Sequence, residues 1–297
     1  MKTALVTGSA GFVGRHLTAA LVEHGWQVTE VDVRAGQDCR PLFDGADHRF
    51  ELIVHCAAVV GGRAVIEGAP LATATNLALD SDMFRYAVRT NTPRVVYFSS
   101  SAVYPVDFQV EGIGHRLRES DVDLDRPRMP DAVYGWAKLT GELLARHTRE
   151  RGVRVHVFRP FSGYGADQSI AYPFPSFIER AVNREDPFEV WGSGRQVRDW
   201  VHIDDVVETV FAALDADDEG PLNIGWGVPV TFLDLARRVC SAAGYEPEIR
   251  TLSGAPVGVH HRVADPTRLR ALRPPTTVLD AGIEQALMVA RAAAVLP

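Results

Sequence analysis

The stretch TALVTGSAGFVG, residues 3–14, decides the fold. A short apolar run reads as a buried strand, Gly8, Gly11 and Gly14 follow at once, and RHLTAALVEHG then carries apolar residues at helical spacing to a stop at Gly25. QVTEVDV reads as a second strand and completes a βαβ unit. Glycines here allow a tight turn, close approach of backbone to a pyrophosphate, and close packing of helix on strand; the helix N-terminus then offers free N–H donors to the phosphates. Asp32 ends the second strand 18 residues beyond Gly14, where a carboxylate accepts both ribose hydroxyls of an adenosine and repels a 2′-phosphate. The expectation is a dinucleotide site for NAD rather than NADP, with Arg34 keeping the second open.

Working outward, LIVHCAA and RVVYFSS repeat the buried-strand signature around the helical pattern LALDSDMFRYAVR, and VRVHVFRP follows a further helix. This alternation predicts an α/β fold, a doubly wound parallel sheet with helices on both faces. Only five residues separate Asp32 from Asp38, where a third strand is due, too few for a helical crossover. A trimmed sheet edge is expected there. Beyond Gly163 come Pro- and aromatic-rich segments such as AYPFPSF, the helix pattern IDDVVETVFAALDA and an alanine-rich C-terminal packing helix, which suggest a smaller second lobe.

Composition narrows the function. A net charge of -7 and a pI near 5.8 leave no basic footprint for nucleic acid. No apolar run approaches the roughly 20 residues that span a bilayer, and the glycines come too early for a signal peptide, so a cytoplasmic protein is expected. Cys39, Cys56 and Cys240 are widely spaced, which predicts buried thiols and no metal site.

Of 31 basic residues, only Lys2 and Lys138 are lysine. Lys138 stands four residues after Tyr134 in YGWAKLTGE, one helical turn away on the same face. A phenol is a poor base near neutrality; a neighbouring ammonium, helped by an oxidised nicotinamide, is expected to lower its pKa. A guanidinium would supply charge, but not a compact ammonium that fits under the ribose hydroxyls. A third member, a hydroxyl donor near a strand end, is supplied by the serines of VVYFSSSAVYP.

Together GSAGFVG, HCAA, Asn76, SSSAVYP, YGWAK, RPFSGYG, WGSGRQVRDWVHIDDVV and LNIGWG resemble the extended short-chain dehydrogenase/reductase family, in its group of NAD-dependent sugar-nucleotide epimerases and dehydratases. The resemblance spans nearly the whole chain. It implies a Rossmann domain over residues 1–165, with 199–226 returning to it, and a substrate-binding lobe from 166–198 and 227–297. It implies Ser100 as the catalytic hydroxyl, Tyr134 as acid/base and Lys138 as its tuning residue, with NAD held at Gly8, Gly11, Phe12, Val13, Gly14, Asp32, Asp38, Ala57 and Asn76. Arg198 falls where the family clamps the substrate diphosphate, and Phe188 with Val190 where it packs the nucleobase. Ser101, Ser162, Tyr172 and Arg63 are further candidate substrate contacts, and the helix pair bearing LALDSDMFRYAV and Tyr134 implies a homodimer.

Departures from the family narrow the reaction. The 4,6-dehydratases carry an Asp-Glu pair where this chain has Ser101 and Ala102, so elimination of water is disfavoured. Segments VVGGR, FEVWGSGRQVRDW and GAPVGVHHR look like the GDP-mannose 3,5-epimerases and GDP-fucose synthases, yet the cysteine expected at Ala102 and the lysine expected near Tyr172 are missing. A 3,5-epimerase would need other acid and base groups, His260 and His261 being conceivable, though solvated loop histidines are the simpler reading. What needs only Ser100, Tyr134, Lys138 and NAD is 4-epimerisation of a nucleotide-diphosphate sugar through a 4-keto sugar. An NADPH-dependent ketosugar reductase is the alternative, and a dinucleotide sensor would have no use for the tyrosine and lysine.

Overall fold

The structure, a computed structural model, describes residues 2–45, 48–254 and 257–295; the side chains at 63–65 and 295 lie outside that description. The chain runs β1 (Thr3–Thr7), α1 (Phe12–Glu23), β2 (Gln27–Val31), α2 (Arg40–Gly45), β3 (Leu52–His55), α3 (Arg63–Gly68), α4 (Pro70–Arg89) and β4 (Arg94–Phe98). It continues through β5 (Arg116–Leu117), α5 (Ala132–Arg149), β6 (Arg154–Pro160), β7 (Ser162–Tyr164), α6 (Pro173–Val182), β8 (Phe188–Trp191), β9 (Val197–Arg198) and β10 (Trp200–His202). Last come α7 (Ile203–Ala216), β11 (Leu222–Ile224), β12 (Val230–Thr231), α8 (Phe232–Ala243), β13 (Ile249–Leu252), β14 (His261–Ala264), α9 (Thr267–Leu272) and α10 (Leu279–Val295).

Among the described residues the main sheet has the order β11-β6-β4-β3-β1-β2, with every pairing parallel. Its central strands are runs of Val, Ile, Leu and Phe because both faces are covered. On one face Leu17 and Leu21 of α1 meet Val206 and Val210 of α7; on the other Met83, Phe84 and Ala87 of α4 lie with Ala145 of α5 and Phe43 of α2. Burial of each such large side chain contributes about 1.5–3 kcal/mol. The sheet ends at β2, so the edge is trimmed as the short Asp32–Asp38 spacing predicts; α2 stands where a third strand was due, and its buried Phe43 closes the core. Strand order reverses between β1 and β3, and ligands of such sheets bind outside the carboxyl ends of the strands at that point.

A second core gathers Phe174, Phe177 and Ile178 of α6, Phe188 and Val190 of β8, Leu235 and Val239 of α8, and Ile283 and Leu287 of α10. The alanine-rich C-terminal segment is thus a packing helix. Leu269 of α9 joins the first core instead, so the chain beyond residue 227 contributes to both. A four-stranded sheet, β12-β9-β14-β5, lies in register so that Arg262 of β14 stands beside Arg198 of β9.

Candidate functional site

The glycine turn is built by close contacts. Gly8 has φ +69, and a Cβ there would lie 2.6 Å from the backbone of Cys56 and Ala57; at Gly14 it would lie 2.0 Å from the Gly8 carbonyl oxygen. Any side chain would therefore push α1 off β1 and close the cradle. Gly11 caps α1 with no side-chain hydrogen bond, so the first N–H groups of the helix, beginning at Phe12 and Val13, are left for an anion. Asp32 is buried, and its carboxylate accepts the Ala10 N–H (2.9 Å) and the Arg34 N–H (2.7 Å), which aims it at the same turn. The Arg34 guanidinium donates to the Ala10 carbonyl at 3.0 Å, which holds it against the same turn. Ala57 closes the opposite side, its N–H 3.4 Å from Thr7 Oγ1. Uncapped helix, glycine cradle and carboxylate fit a dinucleotide such as NAD.

Asp38 lies farther along the loop, paired with Arg40, whose hydrogen bonds hold its carboxyl below the usual carboxylate range. Asn76 sits differently from the expected cofactor contact. It is fully buried, and its amide is engaged by both the N–H and the carbonyl of Val59, so it shapes the loop after β3.

The serine turn and α5 are pressed together. Ser100 caps a 3-10 turn over Ser101–Val103, its Oγ accepting the Ala102 N–H at 3.1 Å. The Asp131 N–H donates to the Ala102 carbonyl at 2.9 Å, and Gly135 packs against that same oxygen. This contact holds the first turn of α5, which carries Tyr134, against the serine turn, and brings the Ser100 hydroxyl near enough to favour the ionised phenol. Behind it, buried Arg159 makes two hydrogen bonds to Glu142 (2.8 and 2.6 Å), and Ser99 donates to the same carboxylate, so α5, β6 and the serine turn share one polar anchor.

Lys138 departs from expectation. Its side chain is buried, but the ammonium pairs with Asp80 of α4 at 3.7 Å and lies over the Tyr97 ring at 4.9 Å. Burial pushes the Tyr134 phenol up to about 12; the nearby Ser100 hydroxyl and Arg262 oppose the rise, and the charge of Asp80 adds to it. In the chain by itself burial, and not the lysine, sets the direction for this phenol.

Among the candidate substrate contacts, Tyr172 caps the start of α6 close enough for its phenol and that of Tyr134 to feel each other, and burial pushes it up to about 12. Ser101 is buried in the serine turn, and Ser162 sits at the start of β7, paired with Trp200. Arg198 stacks over Phe232 at 5.5 Å and donates to its own strand at Val197. Phe188 and Val190 are 0% and 1% exposed, so their side chains fill the second core and are not an open nucleobase slot; β8 turns Glu189 and Trp191 outward instead. His260 and His261 are not solvated loop residues: both are partly buried beside or within β14, and their N–H groups donate to the Gln109 carbonyl. Arg63 begins α3, and its side chain lies outside the described residues.

Two site residues escaped the sequence reading. Asp80 sits on the buried face of α4 with Asn76, Met83 and Ala87, and a carboxylate interrupting an apolar helical face was the available signal. Arg262 bonds Asp131 Oδ2 at 2.7 Å and Gln109 Oε1 at 2.7 Å, joining β14 to the start of α5. Nothing local in GVHHR distinguishes it.

Residues 4–225 match the family model described as the NAD dependent epimerase/dehydratase family. The chain is 30% identical to GDP-mannose 3,5-epimerase 1 of Oryza sativa subsp. japonica, over 89% of this chain and 75% of that one. It is 28% identical to dTDP-4-dehydro-6-deoxy-D-allose reductase of Streptomyces bikiniensis, over 90% and 89% of the two chains. Among solved structures, UDP-glucose 4-epimerase of Thermotoga maritima with UDP-glucose superposes with a TM-score of 0.84 at 25% identity, over 98% of this chain and 99% of that one.

Proposed function

We propose that this chain, which belongs to the NAD dependent epimerase/dehydratase family, is a nucleotide-sugar epimerase that inverts C4 through a transient 4-keto sugar. The observation that carries this reading is the close packing of the α5 turn bearing Tyr134 on the turn bearing Ser100, with Ser100 followed by Ser101 and Ala102, neither of which can serve as the acid that elimination needs. NAD, when bound, supplies a reversible hydride acceptor and a positive charge near the phenol. Ser100 would orient the C4 hydroxyl, Tyr134 would take its proton and later return it, and Lys138 would hold ribose hydroxyls. Arg198 and Arg262, side by side on β9 and β14, would receive the diphosphate, with Tyr172, Ser162 and Ser101 around the sugar.

The test is incubation with UDP-, GDP-, CDP- and dTDP-sugars in D₂O. C4 inversion without deuterium uptake, lost by a factor of about 10²–10⁴ in Tyr134→Phe, is expected; a variant as active as wild type refutes the scheme. Deuterium at C3 or C5 would instead indicate 3,5-epimerisation. A second reading, an NADPH-dependent 4-keto-sugar reductase, draws on Arg34 beside the adenosine carboxylate and on a phenol held protonated, ready to donate. Steady NADPH consumption with a 4-keto sugar would favour it.

Assembly as a homodimer belongs to the same reading. Exposed Leu71 and Leu77 of α4 and Val133 and Trp136 of α5 lie on helices that pack together, and light scattering should report twice the 32.5 kDa chain mass.

A further inference from the structure

We propose that Asp80 is the positioning residue of Lys138, a buried carboxylate that keeps the ammonium charged and tied to the two turns that hold the cofactor. The proposal rests on the reading of Tyr134 and Lys138 as the reacting pair.

Asp80 and Lys138 are 1% and 3% exposed. Taking an ammonium that far out of water is costly unless an opposite charge compensates the lost hydration, and Asp80 Oδ2 stands 3.7 Å from it. Asp80 is itself held in place. The Tyr97 hydroxyl donates to Oδ2 at 2.6 Å, and His55 Nε2 stands 3.3 Å from Oδ1. His55 Nδ1 bonds Thr7 Oγ1 at 2.8 Å, and Thr7 immediately precedes Gly8 while taking the Ala57 N–H. A row of neighbouring polar groups therefore runs from the lysine to the glycine turn after β1 and the loop after β3, with close approach but no hydrogen bond between His55 Nε2 and Asp80 Oδ1. A Cβ on Gly141 would fall 1.8 Å from the Tyr97 hydroxyl and 2.9 Å from Asp80 Oδ2, so the helix leaves that space for the network.

The groups facing this pair are few. His55 reaches Asp80 from β3, Tyr97 from β4 and Lys138 from α5. Cys56 faces Lys138, and Glu142 faces Tyr97. Around Tyr134 stand Ser100, Arg262 and Tyr172.

The chain's two lysines make the test direct, because ¹³C-lysine labelling yields one resonance from buried Lys138 and one from exposed Lys2. In folded Asp80→Asn, and in Asp80→Ser, which keeps an acceptor for Tyr97, the Lys138 resonance should titrate at least one pH unit lower than in wild type, while Lys2 is unmoved. The alkaline limb of nucleotide-sugar turnover should shift down with it, and Asp80→Glu should recover part of both. A merely structural carboxylate would change thermal stability and leave the Lys138 titration where it was, and that result overturns the proposal. The resonance needs no substrate. Its shift in a protein that turns over no nucleotide sugar would uphold Asp80 and sink the epimerase reading alone.

Discussion

Gly135→Ala tests how closely the serine turn and the tyrosine helix must approach. A Cβ at this position would meet the Ala102 carbonyl oxygen at 2.4 Å and Pro130 Cβ at 3.0 Å, whereas ordinary contact begins near 3.4 Å. The first turn of α5 must therefore retreat by about 1 Å from the turn carrying Ser100, and Tyr134 moves with it. Misplacement of a reacting group by about 1 Å costs on the order of 10²-fold in rate. Stability should move much less, because alanine gains roughly 1 kcal/mol of helix propensity against about 1–3 kcal/mol of overpacking. The assay pairs turnover with NAD affinity by fluorescence and with thermal unfolding. Turnover should fall by about two orders of magnitude, with NAD binding retained and Tm within a few degrees of wild type. Gly68→Ala, in helix α3 with nothing within 4 Å, is the control and should be neutral. A Gly135→Ala enzyme with undiminished kcat would show that the Ser100–Tyr134 approach does not limit the reaction.

Replacing Asp32 by Ser removes a charged acceptor from the adenosine side and should weaken NAD about tenfold to a hundredfold while improving NADPH; isothermal titration with both cofactors checks this, and equal NAD affinity would contradict it. Arg159→Met strands the Glu142 carboxylate, 3% exposed, and should cost about 3–5 kcal/mol, a Tm drop of roughly 6–10 °C in a chain of this size; an unchanged Tm would mean that Glu142 is neutralised without Arg159. His156 is fully buried, and desolvation lowers its pKa from 6.5, so the unfolded chain binds the extra proton below that pH: stability is full above about 6.5 and is lost as pH falls. His156→Asn, which can still donate to the Asp218 carbonyl, should flatten the Tm–pH curve between pH 7 and 5, and a curve parallel to wild type would place the acid sensitivity elsewhere.

Local pattern was enough for much of this molecule. The glycine spacing, the carboxylate at the end of the second strand, the tyrosine and lysine one helical turn apart and the shortened Asp32–Asp38 connection were all legible, because each is set by contiguous backbone geometry or by the period of a single element. Partners distant in sequence were not. The alternation of FEVW marks Phe188 and Val190 as one face of a strand, but only the packing of α6 and α8 against it makes that face a core. Arg262 reaches Asp131 across 131 positions of chain, through a register between short strands that no periodicity encodes. Tertiary structure also decided the electrostatics. Spacing put Lys138 on the face of Tyr134, yet α4 brings Asp80, 58 residues before Lys138, to 3.7 Å from its ammonium, and that carboxylate acts on the phenol as well.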